Sequence, residues 1–195
     1  MMSSNTRLLG NDEMNQDKKR HPLKDGIAAL AFLSLACAAS TAGAVELEIG
    51  KTYQGNTLIE AKTFGLGFTV PEGWSGMLPP GGAFFAMTPD NKTFVFATAE
   101  PGSIKEAQGS LSQPLPLGNG ITLQPIGAPR VQGEGFAIDY NVLGAPEPFG
   151  SEGRAIVSET GVIAGFIGVA PQSGIDDMRH ILDVITEGVT FDELK

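Results

Sequence analysis

Phe64-Gly65-Leu66-Gly67-Phe68-Thr69-Val70-Pro71-Glu72-Gly73-Trp74 decides the fold class. Phe64, Leu66 and Phe68 alternate with Gly65, Gly67 and Thr69, the period-2 pattern of a strand with one face on a core. Pro71 has no N–H to continue a ladder and Gly73 accepts positive φ, so the strand ends in a turn that delivers the only tryptophan, Trp74. Apolar alternation recurs on both sides of this stretch. Before it, Thr57–Lys62 reads as a strand polar enough for a sheet edge, and Val45–Ile49 as a short start. After it, Ser75–Leu78 continues to the Pro79-Pro80-Gly81-Gly82 break.

Further along, Ala83–Met87 and Thr93–Thr98 form a hairpin around Pro89-Asp90-Asn91-Lys92. Ser103 followed by Glu106 has capping-box spacing, so Ile104–Leu111 reads as a short helix. Gln113–Gly120 reads as a loop closed by Asn119-Gly120. Ile121–Pro125 and Gly135–Val142 read as strands, and Gly144–Gly153 as the most loop-like stretch. Arg154–Thr160 and Val162–Val169 form a second hairpin around Thr160-Gly161. VIAGFIGV is apolar on both faces, as in a central strand covered on both sides, and its Gly165 and Gly168 invite close packing. The last element is a helix whose stripe is Ile175, Met178, Leu182 and Ile185, widened by Ile181. Ser173 and Asp176 form its expected capping box, Arg179 and Asp183 an i,i+4 pair, and Gly188 its stop. Val189–Phe191 is a short apolar tail. The predicted class is α+β: an antiparallel sheet with a C-terminal helix packed on it, and room for one short central helix.

Residues 1–44 read as a signal peptide. A basic region within 1–26 precedes an apolar segment, 27–39, and Ala42-x-Ala44 places small residues for cleavage near 44. Two alternatives stay open. Ser34-Leu35-Ala36-Cys37 resembles a lipobox, which would acylate Cys37, and the uncharged run from Ile27 to Val45 is long enough to stay as an anchor. Each of the three sends one globular domain, 45–195, outside the cytoplasm.

Cys37 is the only cysteine. The domain therefore has no disulfide, no thiol nucleophile and no thiolate metal site. The chain carries a formal charge of −9. From Val45 on, eight Lys and Arg stand against eighteen Asp and Glu with no basic cluster. Nucleic acid, whose phosphates demand clustered cations, is excluded as a partner. Membrane contact is expected only through an uncleaved N-terminal segment or an acylated Cys37.

His180 is the only histidine of the domain, so a zinc site or a Ser-His-Asp relay would depend on it alone. It reads as a partly exposed helix residue. G-x-S-x-G, D-x-D-x-D-G and phosphate-loop patterns are missing. No cofactor, no metal ion and no catalytic set is expected. Paired carboxylates remain for acid–base work, Glu134 with Asp139 or Glu147 with Glu152. Arg130, Asp139 and Arg154 fall near strand ends and are candidates for a polar cross-strand network. Two aromatics are candidates for partner binding: Phe149, in an otherwise polar loop, and Trp74, after its turn, with a place in the core as the alternative for each.

Phe68-Thr69-Val70-Pro71-Glu72-Gly73-Trp74 near the start, and Ile181-Leu182-Asp183-Val184-Ile185 leading into Val189-Thr190-Phe191 at the end, give a pattern that resembles the PsbP-like group of extracytoplasmic domains. The resemblance implies an antiparallel sheet sandwiched by helices. It also implies a protein that binds, assembles or stabilises others, with no catalytic residues common to the group. The resulting expectation is an exported, non-enzymatic binding or assembly domain with an envelope protein as partner. The alternative is a carboxylate-dependent hydrolase or small-ligand carrier of the envelope.

Overall fold

The computed structural model describes residues 43–192. The expected leader up to residue 42, with Cys37, lies outside the described residues. In chain order the elements are β1 (Val45–Glu46), β2 (Thr52–Gln54), β3 (Leu58–Ala61), β4 (Leu66–Thr69), β5 (Ser75–Met77), β6 (Phe85–Thr88), β7 (Phe94–Pro101), α1 (Ile104–Leu111), β8 (Leu115–Gly118), β9 (Ile121–Gln132), β10 (Gly135–Leu143), β11 (Phe149–Val157), β12 (Val162–Pro171), α2 (Ile175–Glu187) and β13 (Thr190–Phe191). The class is α+β, as the sequence predicts.

Nine strands form one antiparallel sheet in the order β2-β5-β6-β7-β12-β11-β10-β9-β8. A smaller sheet, β1-β3-β4-β13, is antiparallel except where β1 pairs with β3. The apolar run VIAGFIGV occupies β12, the middle strand of the nine, and is buried on both sides except at Gly165. On one side Ala164, Phe166 and Ala170 meet α2 and the small sheet. On the other Ile163, Ile167 and Val169 meet α1 and strands β9 to β11. Two cores thus lie on opposite faces of the large sheet.

The first core is aromatic at its centre. Phe68 stands edge-on to Phe85 at 5.5 Å and to Phe166 at 6.0 Å between centroids, spacings at which such pairs add stability beyond their burial. The turn after β4 forms as the residues dictate: Trp74 N–H donates to the Pro71 carbonyl at 3.1 Å, with Gly73 at φ 77. Gly168 lets α2 approach, because a Cβ there would overlap Met178 Sδ. In α2, Ile175, Met178, Leu182 and Ile185 are buried as the stripe predicts.

Several expectations are corrected. Phe64 lies in a 3-10 turn, Lys62–Phe64, ended by Gly65 at φ 58, so the strand begins at Leu66. The polar β3 is not an edge; it is flanked by β1 and β4. The expected loop at Gln113–Gly120 contains β8, an edge strand joined to β9 by the Asn119-Gly120 turn with φ 51 and 78. Strand β9 runs on to Gln132 through a bulge opposite β10. The first turn of α2 takes Gly174 as N-cap with no side-chain bond, and Ser173 sits in the preceding 3-10 turn. By contrast, the capping box at Ser103 and Glu106 is complete, with both reciprocal bonds formed.

Candidate functional site

Two features beyond ordinary packing stand on opposite faces of the large sheet. The first lies where β9, β10 and β11 meet α2. Glu152 and Arg154, two residues apart on β11, point to the same side, and both are buried. Glu152 Oε1 accepts from Arg154 Nε at 2.7 Å and Oε2 from Arg130 Nη2 at 2.8 Å. Arg130 also donates to Asp139 at 2.9 Å, and Arg179 reaches Asp139 at 2.9 Å. Arg154 spans to α2 through the Asp183 carboxylate and the Arg179 carbonyl. Arg179 Nε lies 3.3 Å from Glu152 Oε2 as an ion pair but lacks hydrogen-bond alignment. Burial works against the Arg179 charge, yet Asp139 and the neighbouring acids hold its pKa above the ordinary value.

This network contains the three residues expected to cross strands, Arg130, Asp139 and Arg154, and adds Glu152, Arg179 and Asp183. The predicted Arg179–Asp183 pair is not made, because each turns to the sheet instead. Three arginines bridge Glu152, Asp139 and Asp183, and the network ties sheet to helix. Beside it a cleft of about 440 Å³ is lined by Arg154, Asp183, Glu134 and Glu187.

The second feature is aromatic. Strand pairing places Met77, Ala86, Phe96 and Ile167 side by side, and Phe94 next to Val169. Phe84 stands edge-on to Phe96 at 6.4 Å, and Phe94 stacks on Phe96 at 6.1 Å and 11°. These residues share the sheet face that α1 covers, but α1 packs over β11 and β9 and leaves β5 to β7 open. Phe84 is 40% exposed, and Phe94 and Phe96 are half-buried. The result is a contiguous aromatic surface with no covering layer among the described residues.

Phe149 adjoins this surface. It is the first residue of β11, not part of a loop, since the loop between β10 and β11 ends at Pro148. It is half-buried against the second core together with Phe96. Trp74 goes elsewhere: it is 7% exposed, in the first core on the opposite face. The two aromatics singled out from the sequence are therefore not brought together. Phe84, Phe94 and Phe96 were missed as surface residues. Their period-2 spacing was legible, but which face α1 leaves bare was not.

A cleft of about 640 Å³ joins Trp74, Asp90, Lys92, Glu147, Asp177 and His180. Asp90 accepts from the backbone N–H groups of Thr93 and Lys92, which hold its carboxyl below the usual range. His180 is exposed at the cleft's edge. The carboxylate pairs suggested by the sequence are not formed. Glu134 lines the cleft beside Arg154 whereas Asp139 is engaged with two arginines, and Glu147 lies in the Trp74 cleft whereas Glu152 is buried in the network. Among the described residues no group of three or more His, Asp or Glu is placed to hold a metal ion. Nor is any helix there long and apolar enough to cross a membrane.

No family model matches the chain, and no curated protein matches it in sequence. Among solved structures the chain is similar to cyanobacterial PsbP (CyanoP) from Synechocystis sp. PCC 6803. The TM-score is 0.47 and the identity 11%, over 73% of this chain and 92% of that one. A protein from Bacteroides thetaiotaomicron VPI-5482 matches with a TM-score of 0.41 and 8% identity, and the chain spans half of its length. The resemblance expected from FTVPEGW is thus found, at the level of fold alone.

Proposed function

We propose that the chain is an exported, non-enzymatic binding or assembly domain that engages a protein of the cell envelope through the bare aromatic half of its large sheet. The observation that carries this reading is the contiguous Phe84–Phe96–Phe94 surface, left open by α1 and continued by Phe149. Exposed aromatic clusters of this kind are enriched in the centres of protein interfaces. Export rests on the leader read in residues 1–44.

The test is photo-crosslinking in the native cell. A photoreactive residue replaces Phe84 or Phe96 in the full chain, and controls carry it at Ile126 or Val184, which are exposed elsewhere. Phe84 is a better probe than Phe149, which supports the second core. A defined partner captured from positions 84 and 96 but not from the controls supports the reading. Capture from the controls alone overturns it.

A small-ligand carrier is the second reading, supported by the cleft that unites an indole, an imidazole and three carboxylates. A rise in melting temperature with a ligand, lost on His180→Ala, is its expected sign.

A further inference from the structure

We infer that the aromatic face takes a basic amphipathic segment of its partner: apolar side chains seated on Phe84, Phe94 and Phe96, with Lys or Arg flanking them. This inference rests on the interface reading above and specifies its occupant.

Charge is the argument. Within residues 43–192 seven Lys and Arg stand against seventeen Asp and Glu. Five of those seven cations are held in ion pairs within the chain: Lys51 with Glu48 and Lys62 with Glu46 on the surface, and the three network arginines, of which only Arg154 is buried. Lys92 and Lys105 are the remaining cations among the described residues, whereas eleven acids stand outside any pair there. The net charge over these residues is about −10, so a partner meets a negative field.

The field is present at the aromatic face itself. Glu100 follows Phe94 and Phe96 at period 2 on β7 and shares their side; it is exposed. Glu159 lies in the β11–β12 turn at the same end of the strands. At the other end Asp90, in the β6–β7 turn, and Glu147, two residues before Phe149, line the Trp74 cleft on the α2 side of the sheet and do not flank the strip. Of the unpaired cations, Lys92 lies in the same turn as Asp90. An apolar strip with acids at its Glu100 end, on a molecule of net negative charge, matches an apolar segment that carries cations. A second copy of the chain would instead set acids against acids, at a cost that grows as salt is removed.

The experiment uses the full chain and two synthetic amphipathic peptides of one apolar pattern, one of Leu and Lys, the other of Leu and Glu, followed by fluorescence anisotropy. The Leu/Lys peptide is expected to bind about tenfold or more tightly than Leu/Glu, a factor that fades as added salt shortens the Debye length from about 10 Å at 0.1 M toward about 3 Å at 1 M. Phe84→Ser with Phe96→Ser is expected to abolish binding, and Glu100→Gln with Glu159→Gln to weaken it several-fold. Equal affinity for both peptides, still lost in the phenylalanine variant, overturns the charge inference and leaves the interface reading intact. Binding that survives the phenylalanine variant overturns both. Self-association in sedimentation that is lost in that variant identifies a second copy as the occupant and also overturns the inference.

Discussion

Glu152→Gln removes one charge from the tie between sheet and α2 and changes almost no volume. Both carboxylate oxygens face guanidinium nitrogens, Arg154 Nε at 2.7 Å and Arg130 Nη2 at 2.8 Å. Whichever way the amide is turned, its NH2 is directed at an arginine donor, so one hydrogen bond becomes a donor–donor contact. Breaking one partner out of a buried pair costs about 3–5 kcal/mol. The lower end applies here, because Arg130 is 45% exposed and keeps Asp139, and Arg154 keeps Asp183. A loss of about 3 kcal/mol lowers the melting temperature by roughly 6–12 °C for a chain of this size. Urea and thermal unfolding of parent and variant measure it. The double variant, Glu152→Gln with Arg154→Met, is expected to be more stable than Glu152→Gln alone, since it no longer buries a guanidinium short of its acceptor. A single variant within about 0.5 kcal/mol of the parent, or a double variant less stable than the single, would refute the account of the network as a buried, mutually dependent unit.

Gly168→Ala is expected to cost about 1–3 kcal/mol, because its Cβ overlaps Met178 Sδ where α2 meets β12; in a Met178→Ala background, itself destabilised, the same substitution should cost less, a coupling read from a double-mutant cycle in chemical denaturation. Burial pushes the Tyr140 hydroxyl up to about 12 from 10.0, and that hydroxyl donates to the Leu111 carbonyl at 2.7 Å. A raised folded-state value means the stability is complete below pH 10 and is lost as pH climbs toward 12, by at most about 3 kcal/mol. Urea midpoints between those limits should fall in the parent and fall less in Tyr140→Phe.

Legibility followed locality. The Ser103 capping box, the Asp90 and Asn119-Gly120 turns, the α2 stripe and the central β12 are each specified by residues within a turn or two of one another, and each was readable. The failures share a different origin. Residues 113–120 carry two prolines and two glycines, yet β8 forms because an edge strand needs only one paired side and tolerates Pro116 there. Spacing alone makes Ser173 a cap, but the chain first winds through a 3-10 turn, Gln172–Gly174. The Gly and Pro density of Gly144–Gly153 predicts a loop around Glu152. Its partner strands fix it as β11, and those partners are distant in sequence. The same holds for the aromatic face, whose exposure depends on where an eight-residue helix happens to stop covering a nine-stranded sheet.

That difference in coverage accounts for the distribution of charge. On the face that carries α2, the helix must be held against strands bearing Glu152 and Arg154, and the ion pairs there consume every arginine in the described residues. Arg154 is buried there, and Arg130 and Arg179 stay partly exposed but bound to acids, so most unpaired charge on the molecule is carboxylate. The opposite face pays no such cost, because α1 is short, needs only Ala107 and Leu111 as anchors, and leaves the β5–β7 half bare. An apolar strip on an acidic molecule is the consequence of tying down one helix with cations and leaving the other face partly uncovered. Interface chemistry and internal stability are linked through Glu152: replacing it by an amide takes one negative charge from the molecule and weakens the attraction for a basic partner. The Glu152→Gln chain, whose arginines have lost a shared acceptor, is for that reason expected to discriminate less between the Leu/Lys and Leu/Glu peptides than the parent does.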